Sequence, residues 1–293
     1  MRFASSERMP YGRQMQAAAP YQHGNTRQTV VDSDHLLVEE ISARPELPPS
    51  GHTRARQLAI TFAGAFEFQV GRRITWVDCS RILFVETDQP YVDHHSVPGT
   101  GHRSLILTPS PEAIDEMCNG ANAYFDRRVQ ACSLRTQMLV QLLRRTSNIV
   151  AAQEIAWAIM ADTVSQTGRP APTDARCVRL AKAMLHDHPE GRLTLGEIAS
   201  DIGVTPIYLT QSFKRSEGMP LYRYQMALRL ARALNSLPER QDISDLAFEL
   251  GFSSHSHFTA AFRSELGVTP SHYRARSLQA SGTTSTACAN GRL

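Results

Sequence analysis

A pattern in the C-terminal third of the chain occurs twice. Ala199 and Gly203 return as Ala247 and Gly251, 48 positions on, and Phe213, Gly218 and Tyr224 return as Phe262, Gly267 and Tyr273, 49 positions on. The second turn therefore holds one more residue than the first. Each copy reads as helix, glycine-centred turn, helix: Leu195 to Ala199 with Ile207 to Lys214, then Ile243 to Leu250 with His255 to Arg263. A small alanine and a turn glycine at fixed spacing let two helices cross closely and leave the second free to enter a major groove. Cap chemistry supports both units: Thr194 with Glu197 has capping-box spacing, and Asp242 with Asp245 puts acids at a helix start. Tyr224, Leu228, Ala231 and Leu234 share one face of a helix from Leu221 to Leu234, ended by Pro238. Such a rigid connection would suit second helices spaced by about one DNA turn, ~34 Å.

Two domains are expected from 293 residues, and the hydrophobic fraction of 42% suffices for ordinary cores. No run approaches the ~20 apolar residues of a membrane span, and Met1 to Glu7 lacks a signal-peptide core, so a cytoplasmic location is expected. Five scattered cysteines (Cys79, Cys118, Cys132, Cys177, Cys288) read as reduced thiols, not a disulfide framework. The net charge is only +3, and residues 170–277 hold 13 Lys and Arg against 11 Asp and Glu. That balance disfavours a nucleoid-type binder, which needs a stronger positive field. Binding must rest on placed contacts such as Lys214, Arg215 and Arg263, late on the second helices.

The fold class expected is α+β: an N-terminal antiparallel β-rich domain of a partial jelly-roll or cupin-like kind, a helical linker, and a C-terminal all-α tandem helix-turn-helix domain. Residues 1–30 read as a disordered arm and 31–110 as the β-rich regulatory domain. Residues 111–166 read as a helical dimerisation segment, 167–173 as a linker, 174–276 as the tandem domain and 277–293 as a disordered tail. Strands are expected at Ala59–Phe62, Ala65–Val70, Ile74–Val77, Ile82–Val85 and Leu105–Leu107. Ser110 and Pro111 start a helix as N-cap and first helical residue. Phe125, Val129, Cys132, Leu139 and Leu143 fall at helical spacing, and Phe125, Val129, Leu139 and Leu143 are the expected dimer stripe, with packing on the chain's own β domain as the alternative. A second helix is expected from Ile149 to Val164. Asp93, His94, His95 and His102 raise a metal site, but the intervening Pro98 to Gly101 reads as loop, so solvated histidines are expected. Cys79 and Cys118 are expected to be buried thiols.

The run from Gly251 to Arg263, Gly-Phe-Ser-Ser-His-Ser-His-Phe-Thr-Ala-Ala-Phe-Arg, with Gly267 to Arg274 after it, resembles the signature of AraC/XylS-type transcription regulators. The first copy, with Leu209, Phe213, Lys214, Gly218 and Tyr224, is similar to that family's first unit; the likeness spans about Ala175 to Arg276. The N-terminal half resembles the family only in having a β domain followed by helices, which in many members bind an effector and dimerise. The resemblance implies a transcription regulator that contacts bases through Ile207, Thr210 and Gln211 of the first unit and His255, Ser256 and Thr259 of the second. It implies phosphate contacts from Lys214, Arg215, Ser254 and Arg263, with Leu209, Phe213, Phe258 and Phe262 as core. Ala260 departs from the family, where many members carry Arg, so the second unit should read fewer bases and lean on DNA shape. Implied partners are double-stranded promoter DNA, a second copy of the chain, a small-molecule effector and RNA polymerase. A cupin oxygenase would need a His/carboxylate set and an alkyl-transfer repair protein a Cys cluster. Neither is evident, so no catalysis, cofactor or metal is expected.

Overall fold

Runs that are apolar on successive residues, such as Leu58-Ala59-Ile60 and Ile82-Leu83-Phe84-Val85, belong to strands covered on both faces. The computed structural model describes residues 25–44, 50–51, 53, 55–95, 101–118, 128–165, 175–188, 190 and 193–282. Among the described residues ten strands form two antiparallel sheets. The larger has the order β1-β2-β9-β4-β7-β10, where β1 is Thr26–Asp32, β2 Leu36–Ala43, β4 Gln57–Ala63, β7 Arg81–Val85, β9 His102–Pro109 and β10 Val129–Ala131. The smaller has the order β3-β8-β5-β6, from Ser50–Gly51, Tyr91–His94, Phe66–Val70 and Arg73–Val77. Ile41, Ala59, Leu83, Val85 and Ile106 of the larger sheet face Phe66, Phe68, Val77 and Tyr91 of the smaller across one core. The larger sheet's other face, with Leu58, Ile60, Phe62, Ile82, Phe84, Leu105 and Leu107, is covered by helices α1 (Pro111–Cys118), α2 (Leu134–Arg145) and α3 (Ile149–Ser165). The alternation in β5 turns buried Phe66 and Phe68 to the core between the sheets and Glu67 to the other face, where it pairs with Arg179 at 3.3 Å.

Strand β2 carries the acidic pair Glu39-Glu40, which hides it from a hydropathy reading. Glu39 pairs with Arg27 at 3.1 Å and Glu40 with Arg144 at 2.9 Å. The expected arm ends earlier than residue 30, because β1 already starts at Thr26. As an edge strand β1 bonds one neighbour and stays largely exposed, so its sequence is polar. Residues 1–24 lie outside the described residues, as does the expected linker at 167–173. At the other end, α10 (Pro270–Gly282) runs past the expected tail boundary at 277. There the Ser277 hydroxyl donates to Tyr273 O at 2.9 Å and is buried.

The expected dimer stripe is corrected. Val129 is not helical: it sits in β10, paired opposite Leu83 of β7, and its side chain joins the core between the sheets. Leu143 is fully buried between α2 and the larger sheet, and Leu139 packs partly buried against the same core. Phe125 lies outside the described residues. Covering the larger sheet on its second face consumes these apolar groups, so they are not available as a surface stripe. Helical spacing also matched Val129 and Cys132 by accident, since a three-residue strand has too little sequence to show its period.

The C-terminal helices are α4 (Arg176–Asp187), α5 (Leu195–Ile202), α6 (Pro206–Glu217), α7 (Leu221–Ser236), α8 (Ile243–Glu249), α9 (His255–Leu266) and α10. They form two cores. Leu221, Tyr224 and Leu228 of α7 enter the first with Val178, Ile198, Leu209 and Phe213. Leu230, Ala233 and Leu234 of the same helix enter the second with Leu246, Phe258, Phe262 and Tyr273. Helix α2 touches both halves of the molecule: Val140 and Leu143 pack on the sheet, and Leu134 and Met138 pack on the second core. No helix among the described residues is long and apolar enough to cross a membrane.

Candidate nucleic-acid interface

Each helix-turn-helix unit is closed by side-chain and glycine caps. At the start of α5, Glu197 N–H donates to Thr194 Oγ1 at 3.3 Å and Thr194 N–H donates to Glu197 Oε2 at 2.7 Å, the reciprocal pair expected from the spacing. The Thr194 N–H and the Thr194 hydroxyl, which also donates to Glu197 Oε2 at 2.7 Å, hold the Glu197 carboxyl below its ordinary pKa. At α8, Asp242 Oδ1 accepts from Ser244 N–H at 2.6 Å and Asp245 N–H at 3.2 Å. Helix α6 starts on Thr205, which accepts from Tyr208 N–H at 3.2 Å, with Pro206 at its first position. Helix α9 starts on Ser254, which accepts from His257 N–H at 3.1 Å. Both end on left-handed glycines, Gly218 at φ 69° and Gly267 at φ 74°.

On α6 the inward face is Leu209, Ser212, Phe213 and Ser216, all buried. Ile207, Thr210, Gln211, Lys214 and Arg215 are exposed together on the outward face, Ile207 at 72%. Thr210 Oγ1 donates to Pro206 O at 2.8 Å, leaving its lone pairs to accept from a partner. On α9, Phe258 and Phe262 are buried while His255, Ser256, Ala260 and Arg263 are exposed. Thr259 is half-buried, and its Oγ1 is shut in with no hydrogen-bond partner, so in this arrangement it offers no hydroxyl to a base. Ser254 is half-buried and its oxygen caps α9, which leaves only its O–H for a phosphate. His257 packs its ring edge-on to Phe252, centroids 5.4 Å apart, and bonds Ser253 Oγ at 3.0 Å through Nδ1. The residue that sequence reasoning passed over is Tyr208, 54% exposed beside Ile207. An exposed aromatic on a helix whose core positions are already filled was the available signal.

A second feature lies between the two sheets. A narrow cavity is lined by Ile41, Ala59, Phe66, Phe68, Leu83 and Tyr91, with Asp93 and His102 at a polar end. Here the expectation of solvated histidines is corrected. Asp93 lies in β8 and His102 in β9, both buried, because strands rather than a loop carry them. His102 stacks on Phe66 at 3.9 Å and its Nδ1 meets His95 Nε2 at 2.9 Å. Asp93 Oδ1 has no hydrogen-bond partner, and burial pushes its carboxyl up to about 8. Burial, with His95 beside it, pushes His102 down to about 3. Among the described residues no three or more His, Cys, Asp or Glu are grouped to hold a metal ion. Cys79 is half-buried, and desolvation with Asp78 beside it raises the thiol well above its ordinary value. The side chain of Cys118 lies outside the described residues.

The helix-turn-helix region has counterparts among known proteins. A family model described as a helix-turn-helix domain matches residues 198–276. The regulatory protein PocR of Salmonella typhimurium is 26% identical over 165 residues, covering 56% of this chain and 54% of PocR. The HTH-type transcriptional activator AarP of Providencia stuartii is 34% identical over 84 residues, 28% of this chain and 62% of AarP. Among solved structures, a transcriptional regulator with an AraC-type DNA-binding domain from Chromobacterium violaceum is 30% identical. That match covers 35% of this chain and 93% of the other, with a TM-score of 0.34. The chain thus spans 54% and 62% of the two curated relatives' lengths.

Proposed function

The chain belongs with the AraC/XylS-type regulators through its C-terminal domain, and on that premise we propose that it is a sequence-specific DNA-binding transcription regulator. Helices α6 and α9 would enter successive major grooves of promoter DNA. The observation that carries this reading is the pair of outward faces just described, each mounted on its own core, with one buried helix, α7, shared by both cores. On α6, Gln211 offers an amide that matches an adenine edge, and Ile207 offers contact to a thymine methyl. Lys214 and Arg215 follow one turn later, placed for phosphates. On α9, Ala260 offers no hydrogen bond and the Thr259 hydroxyl is enclosed, so the second unit should depend more on Arg263, the Ser254 hydroxyl and DNA shape. A small molecule or partner acting on the N-terminal domain would modulate binding, and RNA polymerase would be a further partner. A homodimer remains part of the proposal, through a surface other than the stripe that the β domain consumes. The reading contains no catalytic step.

Selection from randomised DNA with the intact protein tests it. Gln211→Ala should relax preference at one or two base positions, since a good bidentate contact is worth ~1–3 kcal/mol of discrimination. Lys214→Ala should weaken binding about equally on all sequences and lower the salt slope by roughly one unit. An unchanged preferred sequence for Gln211→Ala, or a changed one for Lys214→Ala, would refute these roles.

A further inference from the structure

At one position of the repeat a buried carboxylate stands where the other copy has an apolar residue. Glu217, the last residue of α6, corresponds to Leu266, the last residue of α9, 49 positions on. Leu266 packs against the second core, so the unit itself is satisfied by an apolar residue there. Glu217 instead carries a carboxylate with a side chain only 5% exposed. Its Oε1 lies 2.6 Å from Arg81 Nη2 and 2.7 Å from Lys182 Nζ. Lys182 comes from α4 of the same unit, but Arg81 opens strand β7 of the β domain, 136 positions away in sequence. Arg81 is itself fixed, since its Nη1 donates to Trp76 O at 2.9 Å.

A second buried acid stands beside it and reaches in the opposite direction. Asp78, in the turn between β6 and β7, accepts from Trp76 Nε1 at 2.7 Å and Ser80 N–H at 2.8 Å within its own domain. It also accepts from Tyr224 Oη of α7, and His186 Nε2 of α4 lies 3.4 Å away. Each domain therefore supplies an acid that has a partner in the other as well as in its own. Buried ions of this kind add little net stability, but breaking one costs heavily, so they fix geometry rather than merely hold surfaces together.

We propose that Arg81, with Asp78 behind it, is a positioning residue for the first reading head: it holds the C-terminal end of α6 on the β domain and so sets how α6 meets DNA. The second head meets the N-terminal half by other means: apolar packing of Leu134 and Met138 of α2, and hydrogen bonds at Asn235, whose side-chain amide donates to Phe62 O at 2.7 Å and whose backbone carbonyl accepts from Arg145 Nη2 at 3.1 Å. Strand β7 also reaches the cavity, because Leu83 and Val85 line it two and four residues beyond Arg81.

The proposal rests on the DNA-reading function, and the test separates the two. Arg81→Met keeps the length and burial of the side chain and leaves Glu217 with Lys182. In the intact protein it should lower affinity about tenfold and relax preference only at base positions under α6. Arg81→Lys should restore both to within about twofold, because the cation returns. Hydrogen–deuterium exchange without DNA gives an independent readout: Arg81→Met should speed exchange in residues 206–217 and leave 255–266 unchanged. Equal loss under both helices, no change under α6, or exchange unaltered in 206–217 would overturn the proposal. Wild-type protein with no sequence preference would overturn the DNA-reading function, and exchange would still decide the clamp.

Discussion

Gly251→Ala should cost the protein about 3 kcal/mol or more, whereas the matching Gly203→Ala should cost about 1 kcal/mol. The two glycines are equivalent in the repeat and both are left-handed, Gly203 at φ 76° and Gly251 at φ 78°. An alanine pays for that conformation at either site. Around Gly203, however, an added Cβ meets nothing within 4 Å, while at Gly251 it would fall 2.0 Å from Glu190 O and 3.1 Å from the same carbonyl carbon. A backbone atom cannot swing aside as a side-chain tip can, so the chain before α5 or the second turn must move. Paired chemical denaturation of the two variants measures the difference. Equal losses would show that the segment at Glu190 does not rest on the second turn in solution.

Asp93→Asn should stabilise the protein increasingly as pH rises, by on the order of 4 kcal/mol at pH 8 and by nearly nothing at pH 4. The folded carboxyl titrates near 8, against about 3.9 in an unfolded chain. Between those values the native state holds a proton that the unfolded state has lost, so wild-type stability falls with rising pH. His102 works in the other direction. Its folded value near 3 lies below the unfolded ~6.5, so its contribution is lost as pH falls through that interval. The two slopes oppose each other between about pH 4 and 6.5, so their sum is nearly flat there and falls from about 6.5 to 8. In Asp93→Asn only the histidine slope remains, and stability should rise to about pH 6.5 and then level. Denaturation at a series of pH values reads both profiles; parallel curves for the two proteins would mean that Asp93 is charged and paired.

The reading heads were legible because their determinants are local. Helix periods, the Thr194–Glu197 cap and the turn glycines act over three or four residues, and a repeat displays them twice. Strands β4, β5, β6, β7 and β9 were also legible, being apolar and bounded by turn residues. Strand β2 was not, since Glu39 and Glu40 look solvent-facing until Arg27 and Arg144 are brought from other elements to meet them. Nor was β10, too short to show a period and formed only because β7 offers its edge to Val129. The histidines misled for a related reason: Asp93 and His102 lie on strands of different sheets that are brought together at one cavity, which no spacing in the sequence displays.

Sequence alone determined that this chain carries two capped helix-turn-helix units on a shared helix, and most of the residues that α6 and α9 turn outward, because helical geometry converts spacing into faces; it missed exposed Tyr208 and counted half-buried Thr259 among the outward residues. It also determined the antiparallel β class of the N-terminal half. Tertiary structure decided where the apolar residues of α2 and β10 are spent, turning an expected dimer stripe into core. It decided that Gly251 and Gly203, alike in pattern, differ in consequence. It decided too that Glu217, Tyr224 and His186 of the first head meet Arg81 and Asp78 of the β domain. Those contacts join residues more than a hundred positions apart, and an isolated Arg, Asp or Glu in a sequence carries no sign of the partner that burial will require of it.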